Sequence, residues 1–135
     1  MVKRYGGVPL ITKETSLDAS EEEIYPERST EQECYDFIID ELTDIADVLE
    51  ERPEAGRAGK GAALTLLSRV ALYAGSIQQF GNVENNGLNG IPKGTEKNYY
   101  QIAADAAKRV MTECHYSLYQ GNAGQSKAEV LRDVF

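Results

Sequence analysis

Apolar residues recur at intervals of three and four along three stretches of the chain, which is the spacing of one face of an α-helix. The first stretch predicts a helix over residues 31–51. Thr30 and Glu33 match the capping-box pattern that begins a helix, and Pro53 ends it. The predicted buried face of this helix comprises Cys34, Phe37, Ile38, Leu42, Ile45, Ala46 and Leu49.

The same spacing predicts a second helix over residues 62–79 and a third over residues 99–114. The second helix carries one charged residue, Arg69, so we expect it to be the most buried of the set. Gly75 weakens it by about 1 kcal/mol relative to alanine, unless close packing requires glycine there. The apolar stripes comprise Ala63, Leu66, Leu67, Val70, Ala71, Ala74 and Ile77, and then Tyr99, Ile102, Ala103, Ala106, Ala107, Val110, Met111 and Cys114.

The rest of the chain lacks this period. Residues 1–29 are predicted to form an irregular lead-in that lies on the surface of the helices. Residues 78–98 form a long polar connection in which Asn86-Gly87 and Asn89-Gly90 are turn signals. A fourth helix is predicted from near Ser126 to the chain end. The pattern contains no convincing sheet, so we predict a single all-α segment over residues 1–135, with helices and loops over 30–135.

The charge balance is acidic, with a formal net charge of −8 from 22 acidic and 14 basic residues. An acidic surface repels phosphate groups, and proteins that bind nucleic acid show clustered basic residues instead. The basic residues here are scattered, and no run is longer than Lys3-Arg4. The chain is therefore not expected to bind nucleic acid or to dock electrostatically on an anionic membrane.

No apolar run approaches the roughly 18 residues of a membrane span, and no signal peptide opens the chain, so the chain is expected to be soluble. Both ends read as cuts in a longer protein. In particular, the stretch from Glu129 to Phe135 stops inside an amphipathic pattern. Helix faces that normally meet segments outside the chain are then expected to be exposed apolar patches, which favour self-association.

Cys34 and Cys114 are the only cysteines, and His115 is the only histidine. A metal site needs three or four converging ligands, and the sequence contains no CxxC pair or second histidine. Both cysteines fall on apolar faces of predicted helices, which favours buried free thiols. A disulfide between them and a Cys/His nucleophile are the less favoured alternatives.

Gly56-Arg-Ala-Gly-Lys-Gly61 invites comparison with a phosphate-binding loop. That pattern needs a glycine where Glu54 stands and a serine or threonine where Gly61 stands, so a turn between helices is favoured. Acidic clusters occur at Glu21-Glu22-Glu23, Asp40-Glu41 and Glu50-Glu51, but on polar faces or in loops rather than in the enclosed cleft that glycoside hydrolysis requires. We predict no catalytic residue, metal site or cofactor, and therefore no enzyme.

The second and third helices also show a repeat-like feature. Ala103, Ala107 and Val110 follow Tyr100 at spacings close to those of small residues in the second helix of a tetratricopeptide unit. The connection between the two helices is too long for a standard repeat. The pattern therefore predicts a tetratricopeptide-like helical hairpin with an insertion.

Four blocks of sequence occur in order across nearly the whole chain. They are Tyr5-Gly-Gly-Val-Pro-Leu10; Arg28-Ser-Thr30 with Tyr35-Asp-Phe-Ile-Ile-Asp-Glu-Leu42; Gly56-Arg-Ala-Gly-Lys-Gly-Ala-Ala63 with Ser68-Arg-Val-Ala-Leu-Tyr73; and Tyr99-Tyr-Gln-Ile-Ala-Ala-Asp-Ala-Ala107 with Tyr116-Ser-Leu118. In this order and spacing they resemble the SusD/RagB-type nutrient-binding lipoproteins of the bacterial outer membrane.

The resemblance implies an all-α fold of tetratricopeptide-like helical hairpins with long irregular loops, as a fragment of a larger SusD-like fold. It implies that the intact parent binds an oligosaccharide or polysaccharide at the extracellular face of the outer membrane. Family members deliver glycans to a SusC-type TonB-dependent transporter and carry an N-terminal lipidated cysteine. The lipid anchor is implied for the intact parent only, and the resemblance indicates binding rather than catalysis.

The ligand-contacting residues of the family vary between members, so the resemblance assigns none here. The residues themselves offer Phe80, Asn82, Asn85 and Asn86, where an aromatic side chain meets several amide donors in the long connection. A solvated, turn-rich loop without a ligand is the alternative for these positions. For the chain as a whole, the alternative is a free-standing tetratricopeptide-like module that binds a peptide or protein.

Overall fold

Helices account for all the regular elements among residues 1–117, 119–122 and 124–134, which are the residues that the computed structural model describes. The helices are α1 Val2–Tyr5, α2 Glu21–Ile24, α3 Glu31–Ala46, α4 Lys60–Phe80, α5 Tyr99–Glu113 and α6 Lys127–Val134, with a 3₁₀ turn at Asn85–Gly87. An isolated antiparallel bridge joins Glu84 and Asn89, and no strand forms in these residues. The all-α prediction is confirmed. Leu118 and Phe135, which belong to patterns noted above, lie outside the described residues.

Helix α3 begins as the capping box predicts. The Glu33 carboxylate accepts hydrogen bonds from Thr30 N at 2.8 Å and Thr30 Oγ1 at 3.0 Å, and Glu33 N donates to Thr30 Oγ1 at 3.1 Å. The helix ends at Ala46, before the predicted residue 51. Beyond it, Val48 N and Leu49 N both donate to Ile45 O at 3.0 Å in a final turn, and Glu50 O accepts a bond from Lys60 N of α4 at 2.9 Å.

The buried face of α3 is rotated from the predicted one. Tyr35 and Ile39 lie in the core, whereas Phe37 and Ile45 are 37% and 41% exposed. Apolar residues surround the helix between positions 34 and 39, so the spacing admits two neighbouring stripes. Cys34, Leu42 and Ala46 are buried as predicted. The contacts with α4 add Tyr35 and Ile39 to the buried face, and these contacts cannot be read from the spacing.

Helix α4 is central, because it packs against both α3 and α5. Ala71 and Ala74 are fully buried, and small residues let neighbouring helices approach closely. A Cβ atom added to Gly75 would lie 3.0 Å from the ring of Tyr100, so close packing does require glycine there, as anticipated. The prediction that Leu66 is buried is wrong. Its side chain is 49% exposed and lines a groove between α4 and Tyr116.

Helix α5 buries its small residues against α4. Ala103 and Ala106 are buried, and the Ala103 carbonyl accepts a hydrogen bond from Ser68 Oγ of α4 at 2.8 Å. Met111 and Ala107 were expected on this face but are exposed, because the contact with α4 is narrower than the apolar stripe. None of the described helices combines the length and apolar character that crossing a bilayer requires.

The lead-in was predicted to be irregular, but it contains the one-turn helices α1 and α2. Ser20 and Glu23 form a capping box at α2, which explains a helical turn too short for a periodic pattern to reveal. The rest of the lead-in is tied down by Arg28, whose guanidinium donates to Gly7 O at 2.7 and 2.9 Å and to Tyr5 O at 3.0 Å.

The lead-in also lies directly on the start of α3. A Cβ atom on Gly7 would lie 2.0 Å from Ser29 O, so the backbone approaches too closely for any side chain. The Cys34 thiol donates to Val8 O and accepts from Val8 N, each at 3.4 Å. Cys34 and Cys114 are both buried free thiols, which confirms the favoured prediction for the cysteines.

A cluster of four charged residues joins the ends of the three long helices. Lys60 Nζ lies 2.7 Å from Glu113 Oε2 and 3.9 Å from Asp47 Oδ1. Arg109 Nε contacts Glu113 Oε1 at 2.8 Å, and the Arg109 guanidinium also contacts Asp47. The hydrogen bonds from Arg109 and then Lys60 lower the pKa of Glu113 to about 2. Lys60, the residue that resembled a phosphate-loop lysine, is therefore engaged in ion pairs between helices.

This cluster predicts a loss of stability in acid. The pKa of Glu113 falls from its ordinary value of 4.5 to about 2 on folding. The resulting stabilisation is fully present above pH 4.5 and is lost as the pH falls toward about 2. Thermal unfolding followed by circular dichroism should therefore show a smaller decrease in Tm across this range for Glu113→Gln than for the wild type.

Glu54→Gln is the matched control, because the Glu54 side chain is 87% exposed and its ion-pair partner Arg57, at 3.7 Å, is 77% exposed. Its Tm should follow the wild-type dependence on pH, since exposed pairs contribute little. An identical dependence in Glu113→Gln and the wild type would contradict the role given to this cluster.

Candidate ligand site at the α4–α5 connection

Phe80, one of the four candidate residues, is the last residue of α4 and not part of the connection as predicted. Its ring is 74% exposed. The helix continues to this position because Gly81 N still donates to Ile77 O, at 2.7 Å, before the chain turns away. Phe80 is therefore presented from the end of a packed helix rather than from a loop.

The connection folds back on itself at the 3₁₀ turn Asn85–Gly87. Glu84 N donates to Asn89 O at 2.9 Å, and Asn89 N donates to Glu84 O at 3.2 Å. Between them, Asn85 and Asn86 have φ values of +53° and +55°. Asparagine is among the few residues with a side chain that adopt this left-handed conformation readily. The turn therefore explains why asparagines occupy these positions.

The side chains of Asn82, Asn85 and Asn86 are exposed. Within the described residues they make no hydrogen bond, so each leaves its amide donors and its carbonyl acceptor available. All four candidates lie in one continuous stretch, Phe80–Gly87, which we call the exposed segment. Glu84 is its single charged residue, in a chain of net charge −8. A surface that is rich in amides and carries a single charge suits an uncharged ligand with many hydroxyl groups.

The exposed segment continues into backbone that is fixed to the core. Leu88 O accepts hydrogen bonds from Gly7 N of the lead-in at 3.3 Å and from Glu31 N of α3 at 3.0 Å. Two residues later, Gly90 N donates to Glu31 Oε2 at 2.7 Å. Glu31 is only 8% exposed, and the next residue of the connection, Ile91, is 1% exposed in the hydrophobic core. The exposed segment is therefore held at a defined position.

The far end of the connection is fixed to α3 as well. Lys97 Nζ lies 3.2 Å from Asp36 Oδ1 and 2.9 Å from Asp40 Oδ1. Tyr99 is fully buried, and its hydroxyl donates to Asp36 Oδ1 at 2.9 Å. Burial and this carboxylate together raise the pKa of Tyr99, so the phenol stays neutral. The α4–α5 connection is therefore fixed to the core near both of its ends.

Sequence reasoning missed Glu31 and Ile91, the two residues that position the exposed segment. Glu31 carried no signal beyond its place in the capping box, because its partner lies 59 residues away. Ile91 did carry one, since an isolated β-branched residue between Gly90 and Pro92 interrupts an otherwise polar stretch. Asn89 also packs inward, and a Cβ atom on Gly6 would lie 2.3 Å from Asn89 Oδ1.

Grooves open at three other places on the surface. One lies in the lead-in between Leu10 and Pro26, one lies beside Val48 to Ala58, and one lies between α4 and Tyr116. None of these three is lined by the four candidates. Within the described part of the chain, no three His, Cys, Asp or Glu side chains group so as to hold a metal ion.

The contact between Glu31 and Gly90 predicts how firmly the connection is held. Glu31→Ala leaves Gly90 N without its buried acceptor, which should lower the free energy of unfolding by roughly 1–3 kcal/mol. Amide hydrogen exchange should become faster across residues 84–91. Glu31→Gln keeps an oxygen acceptor at the same reach and serves as the control. Equal exchange rates in the two variants would show that this bond does not hold the connection.

Comparisons with known proteins agree with this fold. A SusD-like family described as "Starch-binding associating with outer membrane" matches residues 1–72. The crystal structure of a SusD-like protein from Bacteroides fragilis NCTC 9343 is 32% identical, with a TM-score of 0.64 over 89% of this chain. The chain spans 19% of the length of that protein. No curated protein matches the chain.

The matched region contains the Tyr5-Gly-Gly-Val-Pro-Leu10 and Arg28-Ser-Thr30 blocks, which the structure brings together at Gly7 and Ser29. It also contains α3 and the first half of α4. The match therefore covers the part of the chain on which the α4–α5 connection is anchored, and it extends over more than half of the 135 residues. On this match, and with a helical fold shared with a solved relative, the chain belongs to the SusD-like family.

Proposed function

We propose that this chain is part of a glycan-binding protein of the outer membrane and that the exposed segment contacts the glycan. The observation that supports this site is the combination of an exposed aromatic ring and three free amides on a backbone fixed to the core. The family is described as starch-binding and associated with the outer membrane, and this description sets the class of ligand.

The chemistry of the exposed segment suits a sugar polymer. The ring of Phe80 offers an apolar face on which the C–H face of a sugar ring packs. The amides of Asn82, Asn85 and Asn86 each offer two donors and one acceptor for hydroxyl groups. Ligand sites commonly combine an apolar surface with a few placed polar groups in this way.

We further propose that the intact protein is lipid-anchored at the extracellular face and works with a SusC-type TonB-dependent transporter. The family's association with the outer membrane supports this assignment. Leu66 and Leu72 of α4, 49% and 55% exposed, provide apolar surface for a protein contact. A SusC-type transporter gene beside the gene for this protein would support the partnership, and its absence would argue against it.

The proposed role is binding without turnover. Every acid of the clusters at residues 21–23, 40–41 and 50–51 is exposed, and a general acid for glycoside hydrolysis needs an enclosed, desolvated position. No observation specifically favours the alternative of a free-standing tetratricopeptide-like module, and membership of a starch-binding family weighs against it.

Phe80→Ala in the full-length protein tests the site. Loss of the stacking surface should weaken retention in an electrophoresis gel that contains starch, with a decrease in affinity of about tenfold, or about 1.4 kcal/mol. Tyr25→Ala is the matched control, because Tyr25 of the lead-in is 74% exposed, the same fraction as Phe80. Its retention should equal that of the wild type.

Unchanged retention of Phe80→Ala would remove the exposed segment as the glycan contact. Equal loss in both variants would indicate that exposed aromatic residues act without regard to position, which would also contradict the proposed site.

A further inference from the structure

The connection contains the dipeptide Asn-Gly twice, at Asn86-Gly87 and Asn89-Gly90, in opposite environments. An asparagine followed by glycine is chemically labile, because the next backbone nitrogen can attack the side-chain amide and glycine offers no side chain to obstruct it. The reaction requires that this nitrogen be free to approach and that the backbone be free to rotate. The two dipeptides differ in both respects.

Asn86-Gly87 meets the requirements. The Asn86 side chain is exposed, and within the described residues it makes no hydrogen bond. Gly87 N is held only by a 3.2 Å bond to Glu84 O across the exposed turn. Apart from its own turn, nothing lies within 4 Å of the position that a Cβ atom on Gly87 would occupy, so space is open for the backbone to rearrange.

Asn89-Gly90 does not meet them. Gly90 N donates to the buried Glu31 carboxylate at 2.7 Å. Gly90 is packed against backbone, since a Cβ atom there would lie 2.2 Å from Asn82 O. Asn89 Oδ1 is itself buried against Gly6. The nitrogen that would attack, Gly90 N, is therefore held in a hydrogen bond, and both Asn89 and Gly90 are packed against other parts of the chain.

We propose that Asn86 is a site of spontaneous deamidation and that Glu31 protects Asn89 from the same reaction. Gly87 N attacks Asn86 Cγ and loses its proton as the C–N bond to the side-chain nitrogen breaks, so ammonia leaves and a five-membered succinimide forms. Water then adds to one of the two imide carbonyls, which opens the ring to aspartate or isoaspartate. Nothing is oxidised or reduced.

The product changes the exposed segment. A carboxylate replaces a neutral amide two residues from Glu84, so the segment carries two negative charges instead of one. Where isoaspartate forms, the main chain gains one carbon, and the tight turn at Asn85–Gly87 loses its geometry. The reaction therefore doubles the negative charge of the exposed segment.

The test compares the two sites within one molecule. The purified protein is incubated at mildly alkaline pH, and peptides that separate Asn86 from Asn89 are followed by mass spectrometry for the replacement of NH₂ by OH. Asn89 should react at least about tenfold more slowly than Asn86, which corresponds to a barrier about 1.4 kcal/mol higher. Equal rates, or faster reaction at Asn89, would overturn the proposal.

Two variants test whether Asn89 is protected by the hydrogen bond to Glu31 or only by its own burial. Glu31→Ala frees Gly90 N and should raise the rate at Asn89 several-fold, while Glu31→Gln keeps an acceptor and should leave it slow. Circular dichroism establishes whether Glu31→Ala is folded. If it is not, the wild-type comparison of Asn86 with Asn89 tests the proposed difference between the two sites. An unchanged rate at Asn89 in folded Glu31→Ala would show that Glu31 does not protect it.

Discussion

The two hydrogen bonds of Glu31 hold the α4–α5 connection to the first turn of α3, and the position of the candidate site depends on them. A carboxylate that is 8% exposed is costly to bury unless it is hydrogen-bonded, and Gly90 N supplies that bond. The N-terminus of α3 also favours a negative charge. In return, Leu88 O accepts the N–H of Glu31, which has no partner within the helix. The connection therefore supplies partners for the polar groups of Glu31, and Glu31 supplies partners for Leu88 O and Gly90 N.

The three long helices are joined differently at their two ends. Toward the start of α5, small residues dominate the contact, since Gly75 lets the ring of Tyr100 lie directly on α4. Toward its end, Lys60, Arg109 and the two acids of the charge cluster add ion pairs between the helices. The connection starts and ends on the side of Gly75 and Tyr100.

The sequence predicted the helices well because their period is local, and it predicted the start of α3 because a capping box needs only Thr30 and Glu33. On α3 it predicted the burial of Cys34, Leu42 and Ala46 correctly but missed Tyr35 and Ile39. It also placed Leu66 and Met111 in the core, because burial depends on which neighbour a helix meets. Glu31 and Gly90 could not be paired from sequence, since they lie 59 residues apart. The turn-forming residues alone predicted that Asn82, Asn85 and Asn86 are exposed. They did not predict that the backbone next to these residues is fixed to the core.

The exposed segment shows why a surface of free amides is also chemically vulnerable. Asparagine is suited to the left-handed positions of the turn, and glycine is suited to the position after them, where φ is +90°. The same two residues form the dipeptide whose backbone nitrogen attacks the preceding amide. At Asn89-Gly90 the fold removes the hazard by engaging that nitrogen with Glu31, but this requires burial. An asparagine that must stay exposed to offer its amide to a ligand cannot be protected in that way, so availability for binding and susceptibility to hydrolysis have the same structural cause.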